Sequence, residues 1–158
     1  MGLSARLNKQ KHRVVTLIGD GELQEGSVWE GVMAAAHYKL GNLVAFIDKN
    51  DLQMDGRADD VMRVNPVDQK FEAFGWNVVN LDGNSVDELV QAIDNLPSPD
   101  SGKPTVIIGH TVKGKGVSFM EDQIAWHAGT VDADTLDQCY VELDQARDAE
   151  RKLESWPA

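Results

Sequence analysis

Three aliphatic runs decide most of what this chain can fold into: Val14-Val15-Thr16-Leu17-Ile18, Leu43-Val44-Ala45-Phe46-Ile47 and Thr105–His110. Each is continuous and rich in β-branched residues, with no polar alternation, which marks strands buried on both faces. Trp76–Leu81 reads as a further strand. Between the runs the apolar period changes to that of a helix. Val28, Val32, Ala35 and Ala36 form one buried stripe, closed by a C-cap signal at Leu40-Gly41. A short helix is expected over Asp68–Phe74. Ser85 and Glu88 make a capping box, followed by the stripe Val86, Leu89, Val90 and Ile93. A last helix, acidic at its start, is expected from about Asp134 to Ser155, after an irregular stretch over Val112–Thr130. Strands alternating with helices predict an α/β fold, a parallel sheet flanked by helices.

The chain has 158 residues, of which 42% are hydrophobic. That suffices for one domain and is too apolar for a disordered chain. No repeat or long linker divides it. Fifteen Lys and Arg stand against 26 Asp and Glu, a net charge of −11, which excludes a broad basic surface for nucleic acid. Positive charge for any phosphate must therefore be supplied locally. Residues 1–13 are the local exception: Arg6, Lys9, Lys11 and Arg13 occur there with no acid, at what looks like the end of a helix. The single Cys139 excludes an intrachain disulfide and fits a reducing compartment. No run approaches the ~18 apolar residues of a membrane helix, and no signal-peptide core follows Met1. The start misses a myristoylation signal because Arg6 stands where Ser or Thr is needed. A soluble, cytoplasmic protein is expected.

In open parallel sheets, ligands bind outside the carboxyl ends of the strands. Two such ends carry chemistry here. Gly19-Asp20-Gly21-Glu22-Leu23-Gln24-Glu25-Gly26 follows the first run, and Asp48-Lys49-Asn50-Asp51-Leu52 the second. Thirty positions separate Asp20 from Asn50, one strand–helix–strand passage between adjacent sites. A carboxylate, an amide oxygen and a loop carbonyl suit a hard divalent cation such as Mg²⁺, which leaves several of its six positions to phosphate and water. Taken alone, Gly-Asp-Gly is more often a tight turn, and Asn50 a loop cap.

Gly19-Asp20-Gly21 with Asn50 thirty residues on resembles the thiamine-diphosphate motif. The longer stretch from Gly19 to Glu30, with Asp48-Lys49-Asn50, Lys113-Gly114-Lys115-Gly116 and Trp126-His127, is similar to transketolases over nearly the whole chain. The resemblance implies a thiamine-diphosphate-binding fold. In it, Asp20 and Asn50 hold the metal through side chains and Leu52 through its carbonyl. Gly21 presents its N–H to the diphosphate. Glu25 lies at a contact between subunits, linked to a catalytic glutamate of the other half-site. Met54 occupies a position usually filled by an apolar residue against the cofactor. Lys113 and His127 lie near the diphosphate and the reacting carbon, where His127 orients sugar hydroxyls. On their own, Lys113 reads equally well as a solvated lysine, His127 as a partly buried histidine, and Glu25 as complementing a helix dipole.

The implied activity is transfer of a two-carbon ketol unit between sugar phosphates, as in pentose-phosphate metabolism. The implied cofactors are thiamine diphosphate and Mg²⁺ or another divalent cation. Measured against the family, residues 1–158 make one partial cofactor-binding domain that begins inside it. The pyrimidine-binding domain with its activating glutamate is absent, so a complementary C-terminal domain or subunit, in an oligomer, is required for turnover. Two other thiamine-diphosphate enzymes, a deoxyxylulose-phosphate synthase and a 2-oxoacid dehydrogenase component, are alternatives, as is a non-catalytic fragment. A P-loop reading of Gly109–Gly116 fails on Gly116, where Ser or Thr must supply a hydroxyl.

Overall fold

In chain order the structure, a computed structural model that describes residues 1–153, contains α1 (Gly2–Leu7), β1 (Val14–Gly19), α2 (Gly26–His37), β2 (Leu43–Lys49), and the two-residue strands β3 (Leu52–Gln53) and β4 (Gly56–Arg57). There follow α3 (Ala58–Val61), α4 (Val67–Ala73), β5 (Asn77–Asp82), α5 (Val86–Asp94), β6 (Thr105–His110) and α6 (Ala133–Leu153). The expected end of the last helix at Ser155 lies outside the described residues. The chain falls into two compact units, one running from Met1 to Thr111 and the other beginning at Val112. No helix among the described residues is long and apolar enough to cross a membrane.

The main sheet lies in the first unit and has the order β1-β2-β6-β5, every pair parallel. β6 is central and is buried from Thr105 to Gly109, as its unbroken apolar run predicts. One face carries Ala45, Ile47, Val106 and Ile108 against Val32 and Ala35 of α2, Phe71 of α4, and Leu23 and Trp76. Phe71 meets Trp29 and Trp76 with ring centroids 5.5 and 5.2 Å away. The Trp76 indole N–H donates to the Val32 carbonyl at 3.0 Å, so its polar edge is satisfied inside the core. The other face carries Val44, Leu81 and Ile107 under Leu89, Ala92 and Leu96.

Three expectations need correction. β1 is an edge strand, and it is not buried on both faces: Val15 is 60% and Leu17 73% exposed. α5 packs on β5, and three strand spacings of about 4.8 Å put β1 beyond the reach of a helix roughly 10 Å wide. On α5 itself, Ser85 caps as expected, its hydroxyl accepting from the Glu88 N–H at 3.3 Å. Its packing residues, however, are Leu89 and Ala92, while Val86, Val90 and Ile93 are exposed. The apolar stripe is wider than the strip of sheet it meets. Lastly, α2 ends at His37, before the Leu40-Gly41 signal, and Lys39 takes the left-handed conformation (φ 51°). Gly41 serves packing instead, since a Cβ there would lie 2.6 Å from the Pro99 carbonyl oxygen and 2.8 Å from the Gly102 nitrogen.

Candidate functional site

Asp20 and Asn50 stand just past the carboxyl ends of neighbouring strands, with Gly19 of β1 in register with Asp48 of β2. Asp20 opens a 3₁₀ turn, Asp20–Gln24, fastened by the Gly19 N–H donating to Glu22 Oε2 at 2.6 Å. That turn leads into α2 and buries Leu23 completely, while the Trp29 indole donates to the Leu23 carbonyl at 2.6 Å. Asp20 is thereby held only 3% exposed.

One hydrogen bond brings the expected trio together. The Asp51 N–H donates to Asp20 Oδ2 at 2.6 Å, and Asp51 lies between Asn50 and Leu52. Asn50 is itself buried, and its Oδ1 accepts from the Leu52 N–H at 3.0 Å. Asp51 adopts the left-handed conformation (φ 59°), which turns its amide toward Asp20 and leads the chain into the β3–β4 hairpin. Asp residues tolerate this conformation better than most side chains do.

Burial is the chief influence on the Asp20 carboxyl and raises it above its ordinary value. The Asp51 amide opposes that rise and the Asp51 charge adds to it, while the Gly21 amide and the Lys49 charge lower it. Lys49 offers limited relief, because its ammonium is paired with the Asp51 carboxylate. The Asp48 carboxylate accepts from the Thr111 hydroxyl. The result is a buried carboxylate without a cation of its own, beside an amide oxygen that keeps a second lone pair. No group of three or more His, Cys, Asp or Glu forms a metal-binding cluster among the described residues. A cation at this place would rest on a carboxylate, an amide oxygen and a carbonyl, an all-oxygen set that suits Mg²⁺ and ill suits Zn²⁺.

The remaining expected residues are placed as follows. The Gly21 amide helps to hold the Asp20 charge. Glu25 is exposed at the N-cap of α2, with its Oε2 3.5 Å from the Ser27 hydroxyl. Met54 is 69% exposed at the tip of the hairpin. Lys113 and His127 belong to the second unit. There the Lys113 carbonyl accepts from the Asp122 N–H at 3.0 Å, closing a loop in which Glu121 accepts from the Gly116 N–H at 3.0 Å. That amide, aided by Lys115, holds the Glu121 carboxyl below its usual range. His127 is exposed at the end of a 3₁₀ turn, Ile124–His127, and the neighbouring Trp126 packs on Phe119. No helix follows Gly116 directly, so this glycine-rich turn lacks the helix N-terminus a P-loop requires.

Lys49 and Asp51 belong to the Asp48–Leu52 stretch that the sequence singles out, but their parts in the site, an ion pair with each other and an amide donated to Asp20, are not assigned from it. The hairpin turns over Met54-Asp55, between the paired Gln53 and Gly56, a dipeptide that carries none of the usual two-residue turn signals.

Comparison with known proteins gives the family. The family described as "Transketolase, thiamine diphosphate binding domain" matches residues 3–149. The chain is 37% identical over 145 residues to a protein of Phocaeicola vulgatus named as one subunit of an apulose-4-phosphate transketolase, covering 92% of this chain and 51% of that protein. It is 37% identical over 150 residues to human transketolase, covering 95% of this chain and 23% of the human one. The crystal structure of Campylobacter jejuni transketolase superposes with a TM-score of 0.80 at 25% identity, over 90% of this chain and 23% of that one. The chain thus spans about half the length of the relatives named as apulose-4-phosphate transketolase subunits, and about a quarter of human transketolase. A fold, a strand-end carboxylate and relatives that agree along nearly its whole length place this chain in the transketolase family, within its thiamine-diphosphate-binding domain.

Proposed function

We propose that this chain is the cofactor-binding part of a transketolase-type transferase that moves a two-carbon ketol unit from a ketose phosphate to an aldose phosphate. The observation that carries this reading is the buried Asp20 carboxylate, held against the Asp51 amide between Asn50 and Leu52. Asp20 and Asn50 would hold Mg²⁺ through side-chain oxygens and Leu52 through its carbonyl, and the metal would draw the diphosphate to the strand ends. When bound, thiamine diphosphate supplies an electron sink for breaking the carbon–carbon bond beside a ketose carbonyl. The protein's own part is to anchor and orient. Gly21 would offer its amide to the diphosphate, Met54 would pack against the cofactor, Lys113 would add positive charge in an otherwise acidic chain, and His127 would orient sugar hydroxyls.

A second polypeptide belongs to this reading. The relative in P. vulgatus is named as one subunit of its enzyme, which supports a complementary chain that supplies the rest of the site. Glu25, exposed at the start of α2, is free to reach across such a contact. Alone, the chain would bind cofactor weakly and turn over nothing. The same relative's name points to phosphorylated ketoses as the donor class.

A ketol-transfer assay with a candidate partner chain, thiamine diphosphate and Mg²⁺ tests this. Turnover of ketose and aldose phosphates is expected only when both chains, the cofactor and the metal are present. Turnover by this chain alone would overturn the split-site reading. Condensation of a 2-oxoacid with an aldehyde in place of ketol transfer would assign the synthase reaction.

A further inference from the structure

At the amino ends of the strands, opposite Asp20, lies a cleft of about 580 Å³ walled by α1, the end of α2 and the Pro99–Gly102 loop. Arg6, Lys9, Lys11 and Lys39 line it, with Asp100 as the one acid. The chain carries 26 acids against 15 Lys and Arg, yet none of these four cations forms an ion pair among the described residues. All four side chains are exposed to solvent, so their charges gather on one open cleft of an acid-rich protein.

Backbone geometry adds a second observation. Lys9 and Lys39 both adopt the left-handed conformation (φ 54° and 51°), just past the ends of α1 and α2. Each closes its helix in the same way: Lys9 N–H donates to Arg6 and Gln10 N–H to Ala5, as Lys39 N–H donates to Ala36 and Leu40 N–H to Ala35. Glycine is the ordinary residue at that position, because it adopts the conformation without strain. Two helices that meet one cleft both place lysine there. A helix C-terminus does attract a cation, which accounts for part of this. It accounts for neither Lys11 nor the shared cleft. Each helix end brings a partial charge of only about −0.5, so together with Asp100 the four cations remain in excess.

The walls are fixed from within. The buried Asn42 amide donates to the Gly2 carbonyl at 3.1 Å and pins α1 to the sheet. Gly41 packs directly on the Pro99–Gly102 loop, and the Arg13 guanidinium donates to the Pro97 carbonyl at 2.6 Å. The cleft is thus pre-formed, and its volume falls in the range of small-molecule sites.

We propose that this cleft binds a small phosphate-bearing polyanion, at a site separate from the one at Asp20. The volume exceeds a single phosphate and the excess of cations calls for more than one negative charge. Either a bare phosphate chain or a nucleotide polyphosphate supplies that chemistry.

Calorimetric titration of the full chain with inorganic tripolyphosphate, in EDTA at low salt, tests the proposal. Saturable one-to-one binding is expected, weakening as salt is raised. Lys9→Gly and Lys39→Gly should each weaken it about tenfold or more while raising the melting temperature, since glycine relieves the left-handed backbone. Asp20→Asn should leave it unchanged. ATP binding more tightly than tripolyphosphate would identify a nucleotide, and equal affinity a phosphate chain. The absence of saturable binding, binding that survives both glycine substitutions, or binding lost with Asp20→Asn would overturn the proposal.

Discussion

The Asp51 amide donates to Oδ2 of Asp20 across 2.6 Å, joining residues thirty-one positions apart at the ends of two adjacent parallel strands. The contact sets Asn50 and Leu52 beside the Asp20 carboxylate that the 3₁₀ turn buries.

Burial raises the Asp20 carboxyl above its ordinary 3.8. The folded chain therefore keeps that proton to a higher pH than the unfolded chain does. Stability falls as pH climbs from the unfolded value through the folded one, and the loss persists at neutral pH. Asp20→Asn keeps an oxygen for the Asp51 amide and removes the charge. Without metal, this variant should melt higher at pH 7, by about 2–4 °C for each kcal/mol regained. Thermal melts from pH 3 to 8 in EDTA check this, and a lower melting temperature for the variant at pH 7 would contradict it.

Asn50→Ala removes the acceptor of the buried Leu52 N–H. An unsatisfied buried donor costs about 1–3 kcal/mol, so urea unfolding should show a loss of that size. Asn50→Asp restores the acceptor but sets a second negative charge beside Asp20, so its stability should recover only when Mg²⁺ is added. Recovery that is the same in EDTA would argue against a shared cation.

Gly114 combines a left-handed φ of 77° with a Cβ position 2.6 Å from the Met120 carbonyl oxygen. Gly114→Ala should therefore open the loop that Lys113 and Asp122 close, at a cost of about 1–3 kcal/mol. Hydrogen exchange over residues 113–122 should speed up while β2 and β6 keep their protection. Unchanged exchange in that loop would show that it yields easily.

On the proposed function, His127 would orient the sugar. In the assembled enzyme, His127→Ala should lower kcat by about a hundredfold, the scale of a misplaced substrate, and weaken cofactor affinity much less. Steady-state kinetics paired with a cofactor titration separate the two. Equal losses in both would remove the proposed role.

Much of this architecture is legible in the amino-acid sequence because parallel strands advertise themselves. The runs at Val14, Leu43 and Thr105 become β1, β2 and β6, and the thirty-residue interval puts Asp20 and Asn50 just past the ends of neighbouring strands. What such runs cannot reveal is the order of strands across the sheet, so β1 reads as buried although Val15 and Leu17 lie at an open edge. The end of α2 misleads for a related reason. Local propensity favours Gly41 as the cap, whereas tertiary packing needs that glycine against Pro99 and leaves the left-handed turn to Lys39. Asp51 is harder still to foresee. Its backbone conformation is set by contact with a carboxylate thirty-one residues away, which no local pattern records.

The central claim, that Asp20 and Asn50 share a cation that clamps a diphosphate, is tested most directly by titrating thiamine diphosphate into the chain assembled with the partner that restores turnover, with Mg²⁺ and then with EDTA, for the native chain and for Asp20→Ala. Binding is predicted in Mg²⁺ alone, and it should vanish in Asp20→Ala while the circular dichroism stays native. Affinity that ignores both the metal and the substitution would contradict the claim.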